Sequence, residues 1–294
     1  MFHDSNSTQG KKLVLAIIIA VFFVVAYFLQ LIFSGRLILP QTFRLGPLVV
    51  HYYGLIMALA VASGFYLAIK RAPKFGLTIK QAEDILFWVI ISGFLGARLY
   101  HVLSSIGYYS QHPIDVLKVW NGGLSIYGAV FGGLIAVWFF ATSYKLQATS
   151  LFDWLTPSVI LGQIIGRFGN LFNYEAFGYP TNLPWKMFVP EMFRPLQYVQ
   201  AAFFHPWFLY EALGNLIVLI LLLTLEKRRK LFPGALFFFY LLLYNSLRLA
   251  LEFLRIDSTF LGAVRLNAAV SLFLVLISLG CLFYIYASEH PKTS

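Results

Sequence analysis

The protein has 294 residues, of which 60% are hydrophobic and 12% are charged, with a net charge of +10 at pH 7. Its 30 phenylalanines, 17 tyrosines and 6 tryptophans make it too apolar to be covered by a polar surface in water. The composition therefore excludes an ordinary soluble domain and predicts a membrane protein. A single cysteine, Cys281, excludes a disulfide framework.

The apolar stretches of the chain predict its transmembrane helices. A helix of roughly 20 residues crosses about 30 Å of hydrocarbon, and stretches of that length recur throughout. We predict spans at about 13–33, 51–70, 84–104, 124–143, 152–172, 207–225, 234–254 and 266–287. One of these opens among glycines and another runs into a polar motif. The predicted fold class is therefore all-α, a polytopic transmembrane helical bundle of about seven to eight spans with an irregular segment on its outer side.

The first apolar stretch follows Lys11 and Lys12, as the core of a signal peptide follows its charged start. It is long, however, and no clear cleavage site of small residues follows it. We therefore interpret residues 1–35 as a cytoplasmic tail and an additional, uncleaved membrane anchor. Residues 36–287 form the predicted main membrane domain, and residues 288–294 a second cytoplasmic tail.

The distribution of lysine and arginine predicts the orientation. With the N-terminus inside, most basic residues of the connecting segments fall on the cytoplasmic side, so both termini are predicted to be cytoplasmic. The basic clusters lie next to helix ends and no nucleic-acid motif is visible. The positive charge therefore predicts contact with anionic membrane lipids and not with nucleic acid.

Three arginines, Arg98, Arg167 and Arg248, lie in or at the end of apolar stretches. Each costs at least about 2.5 kcal/mol at the centre of a membrane helix, so a chain that carries three of them is expected to use them.

The segment YNSLRLALEFLR places Tyr244, Arg248, Glu252 and Arg255 at spacings of four, four and three. At 100° per residue these side chains fall within about 80° of one another on one helix face. One interpretation is a self-contained ion pair of Arg248 with Glu252 that only holds helices together. That interpretation leaves Tyr244 and Arg255 without a role.

The segment GRFGNLFNYEAFG, residues 166–178, is polar in a similar way. Gly162, Gly166 and Gly169 share one helix face and would let another backbone approach closely. Arg167 and Asn170, three residues apart, lie beside that face.

The helix is then expected to yield to a loop that carries Asn173, Glu175 and Gly178, and Pro180 and Pro184 keep this loop irregular. Irregular polar backbone at membrane depth is tolerated where it lines a wet cavity or is buried in protein.

Two arginines on different helices, Arg167 and Arg248, suit one anionic oxygen-rich group such as a lipid phosphate. The guanidinium fork matches phosphate geometry and stays charged at any relevant pH.

Other segments support a site in the outer half of the membrane. HPWFLYE predicts a helix start that carries His205, Tyr210 and Glu211. His51 and Tyr53 open the second predicted span, where an interfacial aromatic belt is the alternative interpretation. Tyr127 lies among five glycines in NGGLSIYGAVFGG, of which Gly128 and Gly132 alone would be an ordinary packing motif.

Six segments together resemble the prolipoprotein diacylglyceryl transferase family: HYYGLIMAL, GARLYHVL, WNGGLSIYGAVFGG, GRFGNLFNYEAFG, HPWFLYE and YNSLRLALEFLR. They occur in order from about residue 45 to 287, and GRxGNxxNxExxG is close to a signature of that family. The resemblance implies that residues 36–287 are a diacylglyceryl transferase-like membrane domain.

The resemblance also implies a reaction on the outer face of the bacterial cytoplasmic membrane. The diacylglyceryl group of phosphatidylglycerol would move to the lipobox cysteine of a prolipoprotein, glycerol phosphate would leave, and lipoprotein maturation would begin. The implied partners are phosphatidylglycerol, the prolipoprotein signal peptide and anionic lipids, and no cofactor is implied. The six histidines lack the spacing of metal ligands, and no nucleotide-binding loop is visible.

By similarity, Arg167 and Arg248 would bind the phosphate and stabilise the leaving group, and Tyr127 occupies a catalytic position of the family. Asn170, Asn173 and Glu175 would orient Arg167 and the glycerol oxygens, and Glu252 would fix Arg248. The other implied substrate-binding residues are Gly178, Tyr53, His51, Arg98, His205, Tyr210, Glu211 and Tyr244. For Arg98, internal packing is the alternative.

The sequence departs from the family pattern at Tyr127, where many members have a histidine often proposed as the base. A phenol with a pKa near about 10 cannot match an imidazole near about 6.5 as a base at neutral pH, so we prefer a hydrogen-bonding or shape role for Tyr127. The substrate thiol is partly ionised without help, and nearby arginines would lower its pKa further. Other departures are Tyr174, where glycine is frequent, Phe208, a short segment at 179–204 and the additional N-terminal helix.

Three alternatives compete with this prediction. A transporter would show internal repeats, which are not found. An inactive relative would bind lipid or lipoprotein without transfer, and another transferase would use the same phosphate site with a different acceptor.

Overall fold

The computed structural model describes residues 5–228 and 231–289. Every predicted apolar stretch forms a long helix, so the all-α bundle is confirmed. The helices are α1 (Ser5–Phe33), α2 (Tyr52–Arg71), α3 (Ile79–Ser104), α4 (Ile106–Tyr109), α5 (Ile126–Ser143), α6 (Ala148–Asn173), α7 (Trp207–Arg228), α8 (Ala235–Glu252) and α9 (Leu266–Glu289). Most of the predicted C-terminal tail, residues 290–294, lies outside the described residues.

Short antiparallel hairpins occupy the connections of the described chain. The pairs are β1 (Thr42–Leu45) with β2 (Leu48–His51), β3 (Met187–Phe188) with β4 (Phe203–Phe204), and β5 (Phe260–Leu261) with β6 (Val264–Arg265). The segment from 174 to 206 contains no long helix, as predicted for an irregular connection.

The predicted count of seven to eight spans is wrong for the described residues, where 6 helices are long and apolar enough to cross a membrane: α2, α3, α5, α7, α8 and α9. Helix α6 is long enough, with 26 residues, but Asp153, Gln163 and Arg167 make it too polar to qualify. Within α1, the apolar stretch Ile19–Phe33 is too short to count among these six helices.

Large apolar side chains cover the outside of the bundle. On α5, Phe131, Ile135 and Trp138 are 62%, 65% and 67% exposed. They follow the helical repeat and form one face. A surface of this kind is suited to lipid and not to water.

Glycines set the two most extensive helix contacts, α3 with α5 and α2 with α6. A Cβ atom added to Gly96 would lie 2.3 Å from the Gly128 carbonyl oxygen, so α3 and α5 touch backbone to backbone. On α6, the predicted glycine face meets α2: Gly166 faces Met57, and a Cβ at Gly169 would lie 2.9 Å from the Tyr53 ring. The small residues therefore decide how closely these helices approach.

Helix α6 ends because Tyr174 adopts a left-handed conformation, with φ of 52°. This conformation favours glycine and is uncommon for a residue with a side chain. Tyr174 is held there by its ring, which stacks on Phe193 at 4.9 Å, and by its hydroxyl, which accepts a hydrogen bond from the Leu39 amide. The chain is thereby turned into the irregular segment.

The bundle has two polar ends. At one end, which we call the motif end, α6 and α8 finish and α7 begins. Backbone hydrogen bonds from Tyr179 to Leu254 and from Phe208 to Ala176 join the three helices there. The opposite end carries buried ionic groups of α2, α6 and α7, which we call the Asp153 cluster: Arg71, Asp153 and Glu226.

In the Asp153 cluster, the carboxylate of Asp153 accepts hydrogen bonds from the Gly234 and Phe237 amides at 2.7 and 2.8 Å. It therefore caps the start of α8 from another helix. Arg71 Nη1 pairs with Glu226 Oε2 at 2.6 Å, and Arg71 Nη2 donates to the Asp153 carbonyl oxygen.

Candidate functional site at the motif end

The site is centred on Glu211, a carboxylate with 0% exposure one turn into α7. The helix begins directly after Pro206, whose carbonyl oxygen accepts hydrogen bonds from the Leu209 and Tyr210 amides. Proline is favoured at such a start because it has no amide proton to leave unpaired. The position of Glu211 in the first turns of α7 then aims its side chain at α6 and α8.

Two arginines from different helices share this carboxylate. Arg167 Nη2 of α6 lies 2.7 Å from Glu211 Oε1, and Arg248 Nη1 of α8 lies 2.9 Å from Glu211 Oε2. The Tyr244 hydroxyl donates to Glu211 Oε1 at 3.4 Å. The arginines that the sequence placed on separate spans therefore meet at one point inside the bundle.

The prediction that Glu252 fixes Arg248 is wrong. Arg248 reaches across to Glu211 on α7 instead of pairing along its own helix. Glu252 is buried, and its Oε1 accepts a hydrogen bond from Asn267 Nδ2 at 3.2 Å. Its Oε2 has no hydrogen-bond partner among the described residues. The alternative of a self-contained pair on α8 fails for the same reason.

Trp207 was missed by the sequence analysis although it belongs to HPWFLYE. Its ring centroid lies 5.4, 5.0 and 5.1 Å from the guanidinium carbons of Arg167, Arg248 and Arg255. The spacing of four residues between Trp207 and Glu211 could have placed both on one face of α7. We call the group Arg167, Trp207, Glu211, Tyr244 and Arg248 the Glu211 cluster.

Arg255 follows α8 and forms a two-point ion pair with Asp257, at 2.6 and 2.8 Å. Burial would raise the pKa of Asp257, but the hydrogen bonds and positive charge of Arg255 outweigh it and hold that pKa below its ordinary value. Arg255 is thus charged and locally compensated at the edge of the cluster.

Asn170, Asn173 and Glu175 form a separate polar group at the end of α6. The side-chain amides of Asn170 and Asn173 donate to Glu175 Oε1 at 2.8 and 3.2 Å. The two asparagines therefore orient Glu175 and do not bond to Arg167. Tyr53, whose ring lies on Gly169, is within electrostatic range of both Glu175 and Arg167.

His205, Tyr210 and Trp185 form a hydrogen-bonded chain in the irregular segment and the start of α7. Trp185 Nε1 donates to the Tyr210 hydroxyl at 2.7 Å, and that hydroxyl lies 3.0 Å from His205 Nδ1. Because an indole can only donate, the Tyr210 hydroxyl accepts from Trp185, and it shares a second hydrogen bond with His205 Nδ1. Partial burial lowers the pKa of His205 below its ordinary value of 6.5, so the ring is neutral at pH 7.

Four predicted site residues lie outside these groups. Gly178 acts through its backbone: its amide donates to the His205 carbonyl, and a Cβ there would lie 2.5 Å from the Leu254 carbonyl oxygen. His51 is exposed at the end of β2. Tyr127 is 52% exposed at the start of α5, and its ring lies 6.0 Å from that of Tyr100.

Arg98 is the fourth of these residues. Its guanidinium donates to carbonyl oxygens of the loop that follows α4: those of Asp115, Val116, Gly122 and Gly123. Most of its donors are therefore used to shape this loop, which agrees with the alternative of internal packing.

The described residues contain no group of three histidine, cysteine, aspartate or glutamate side chains that could hold a metal ion.

The fold and the site define a polytopic membrane protein in which two arginines from different helices share one buried carboxylate inside the bundle. Residues 40–284 match the family model described as prolipoprotein diacylglyceryl transferase. The chain belongs to the prolipoprotein diacylglyceryl transferase family, a family of transferases.

Curated relatives cover nearly the whole chain. A protein of Thermotoga maritima is 39% identical over 293 residues, which cover 96% of this chain and 99% of the relative. A protein of Acaryochloris marina is 43% identical over 248 residues, which cover 84% of this chain and 90% of the relative. Both relatives are named phosphatidylglycerol–prolipoprotein diacylglyceryl transferase.

Proposed function

We propose that this chain transfers the diacylglyceryl group of phosphatidylglycerol to the thiol of a prolipoprotein lipobox cysteine. The thiolate sulfur attacks the glycerol carbon that carries the phosphate ester. The carbon–sulfur bond forms as the carbon–oxygen bond breaks, and glycerol phosphate leaves with the electron pair. The names of the curated relatives support both substrates.

The observation that carries the proposal is the sharing of Glu211 by Arg167 and Arg248. A guanidinium has five N–H donors, and each arginine gives one of them to Glu211. The side chains of Arg167 and Arg248 are 25% and 14% exposed, and none of their nitrogen atoms is fully buried without a partner. Donors are therefore available to a phosphate between the two helices.

These donors suit the charge that develops in the reaction. The phosphate of the donor lipid is anionic, and it becomes more negative as glycerol phosphate departs. Fixed cations in a poorly hydrated pocket stabilise such a transition state because they need not reorient. Glu211 serves this role indirectly, since without it two guanidinium groups would repel each other at the same place.

The other residues of the motif end extend the proposed substrate site. Glu175, held by Asn170 and Asn173, supplies acceptor oxygens for the glycerol hydroxyl groups of the lipid head. Tyr53 and Tyr244 flank the phosphate position. Next to these, His205 and Tyr210 line the irregular segment, where the lipobox peptide would approach.

No dedicated base is needed in this proposal. A cysteine thiol with a pKa near about 8.5 is already a few per cent ionised at neutral pH, and neighbouring guanidinium charges increase that fraction. The exposed position of Tyr127 beside Tyr100 supports a shape role and not proton transfer. The thiol proton passes to solvent.

We also propose the cytoplasmic (inner) membrane of a bacterium as the location, with the site facing outward and both termini in the cytoplasm. The excess of lysine and arginine beside the opposite helix ends supports this orientation. The same basic residues would contact anionic headgroups of the inner leaflet.

The test combines the purified full chain, phosphatidylglycerol vesicles and a lipobox peptide, with the peptide mass as the readout. The expected result is a peptide that gains one diacylglyceryl group together with the release of glycerol phosphate. A peptide with alanine in place of cysteine should gain nothing, and an adduct on that control would exclude thioether chemistry.

Other outcomes identify the alternatives. Lipid flux without an adduct indicates transport, and binding of peptide or lipid without turnover indicates an inactive relative. Release of glycerol phosphate with a different acceptor indicates another transferase. Each of these results would overturn the proposed activity.

A further inference from the structure

The Trp207 ring is the common contact of three arginines that come from two helices and the segment after α8. Their guanidinium carbons all lie within 5.4 Å of its centroid. The ring is fully buried, and its Nε1 donates to the Leu251 carbonyl oxygen in the last turn of α8 at 2.8 Å. The start of α7 is thereby attached to the end of α8 with the ring plane fixed.

The carboxylates around this ring do not compensate each arginine separately. Glu211 forms ion pairs with both Arg167 and Arg248, and Asp257 forms one with Arg255. Like charges brought this close repel one another in a weakly hydrated place. The face of an aromatic ring carries negative potential, and tryptophan attracts cations more strongly than phenylalanine or tyrosine does.

We propose that Trp207 is a positioning residue for phosphate recognition. Its ring holds the guanidinium groups of Arg167, Arg248 and Arg255 in one array, so that their free donors converge on the phosphate of the donor lipid. This inference rests on the proposed function for its lipid substrate. It adds a residue that acts through the arginines and touches neither the lipid nor the thiol.

The chain offers a matched control in Trp154 of α6. Trp154 is also fully buried, and its Nε1 donates to the Ala68 carbonyl oxygen, likewise at 2.8 Å. No arginine of the described residues lies over its ring. The nearby Arg71 lies over the Phe75 ring instead. The two tryptophans thus share burial and hydrogen bonding and differ in the arginines.

The experiment compares Trp207→Phe and Trp207→Leu with Trp154→Phe and Trp154→Leu. Both replacements remove the indole hydrogen bond, and only phenylalanine keeps an aromatic face. Two quantities are measured for each full-length variant: kcat/KM for phosphatidylglycerol in vesicles, and the Kd for glycerol phosphate by calorimetry.

At position 207, we expect kcat/KM of the leucine variant to be about 10-fold to 100-fold lower than that of the phenylalanine variant, and its Kd to be higher by a similar factor, since three cation–ring contacts are lost. At position 154, the two variants should agree. If the phenylalanine and leucine variants differed by the same factor at position 207 as at position 154, the proposal would be overturned, because that result is expected when both tryptophans are purely structural.

Arg255→Met provides a second test, which distinguishes a positioning role of Trp207 from a purely structural one. If Trp207 acts through the arginines, Trp207→Leu should lower kcat/KM by a smaller factor in the Arg255→Met background than in the wild type. Strict additivity would contradict the proposed array. Trp154→Leu should be additive with Arg255→Met.

Should Trp207→Leu not reach the membrane, Trp207→Phe carries the test alone. It should bind glycerol phosphate more weakly than Trp154→Phe, because phenylalanine is the weaker partner of a cation. Equal binding overturns the inference. A wild type that binds glycerol phosphate but transfers nothing would refute the proposed function while leaving the array intact. A wild type that neither binds nor transfers would refute both.

Discussion

The Glu211 cluster and the Asp153 cluster are two buried ionic groups built on the same helices, and they differ in the balance between donors and acceptors. On α6, about 21 Å of helix separates Asp153 from Arg167 at 1.5 Å per residue. At the Asp153 end, one arginine pairs with the Glu226 carboxylate and with the Asp153 carbonyl oxygen, and the Asp153 carboxylate is bonded to two backbone amides. At the motif end, two arginines share one carboxylate.

Accessibility separates the two clusters further. Arg71 is 3% exposed, and the Asp153 carboxylate completes the start of α8, which are features of a structural connection. The side chains of Arg167 and Arg248 are 25% and 14% exposed, beside an irregular segment. Charged groups within the bundle are thus common to both clusters, and partial solvent access distinguishes the arginines of the Glu211 cluster.

The largest expected effect comes from Arg248→Ala. Loss of one fixed donor to a developing oxyanion typically costs about 10²–10³ in rate, and we expect a fall of that size in transfer. Glu211 keeps Arg167 as its partner, so the protein should remain folded in the membrane. Transfer per folded molecule is the measurement, and a wild-type rate would refute the role of Arg248.

Arg71→Ala is the matched change in the Asp153 cluster, and we expect it to lower stability and not the transfer rate. It leaves Glu226 without its cation, which should lower the free energy of unfolding by about 2–3 kcal/mol. Transfer per folded molecule should stay near that of the wild type. Thermal unfolding in detergent measures the change in stability, and the vesicle assay measures the transfer rate. If Arg71→Ala lowered the transfer rate as much as Arg248→Ala does, the proposed difference between the two clusters would be wrong.

A smaller effect should appear as a pH dependence at the motif end. The pKa of His205 is lowered in the folded state, so the unfolded state binds the proton more readily. Its contribution to stability is present above about pH 6.5 and is lost as the pH falls from there through the lower, folded pKa.

The measurement is the unfolding midpoint of the wild type and of His205→Gln between pH 8 and pH 5. The wild type should lose more stability on acidification than the variant, and parallel curves would show that His205 does not contribute.

The smallest effect is expected for Tyr127→Phe, because the Tyr127 hydroxyl takes no part in the Glu211 cluster. Transfer should be nearly unchanged. Tyr244→Phe is the comparison, since the Tyr244 hydroxyl donates to Glu211 and its loss should lower the rate by a few-fold, about 1 kcal/mol for one hydrogen bond. A large loss with Tyr127→Phe would instead make its hydroxyl a proton carrier.

The helices and the identity of the two central arginines could be predicted from the sequence. Long apolar stretches have few stable alternatives to helix in a bilayer, since every backbone amide must be bonded within the segment. Arg167 and Arg248 stood out because charge in such a stretch is costly. The number of spans was not predictable in the same way, because the polar residues within α6 lower its hydropathy although the segment forms a long helix.

The partners of the charged groups were decided by the tertiary structure. Spacing along α8 favoured Glu252 as the partner of Arg248, but the neighbouring helix supplies Glu211 at 2.9 Å. Spacing within one helix describes only one face, whereas an arginine side chain is long enough to reach the next helix. Trp207 was overlooked for the same reason, since nothing local shows that three distant arginines gather on its ring.

The sequence by itself determined that this chain is a helical membrane protein with arginines in its apolar segments, because hydropathy and charge can be read from each segment separately. Only the tertiary structure decided which carboxylate Arg167 and Arg248 share, that Arg98 shapes a loop, and at which end of the bundle the arginines remain partly exposed. Those outcomes depend on how closely glycine faces let the helices approach and on which side chains then meet.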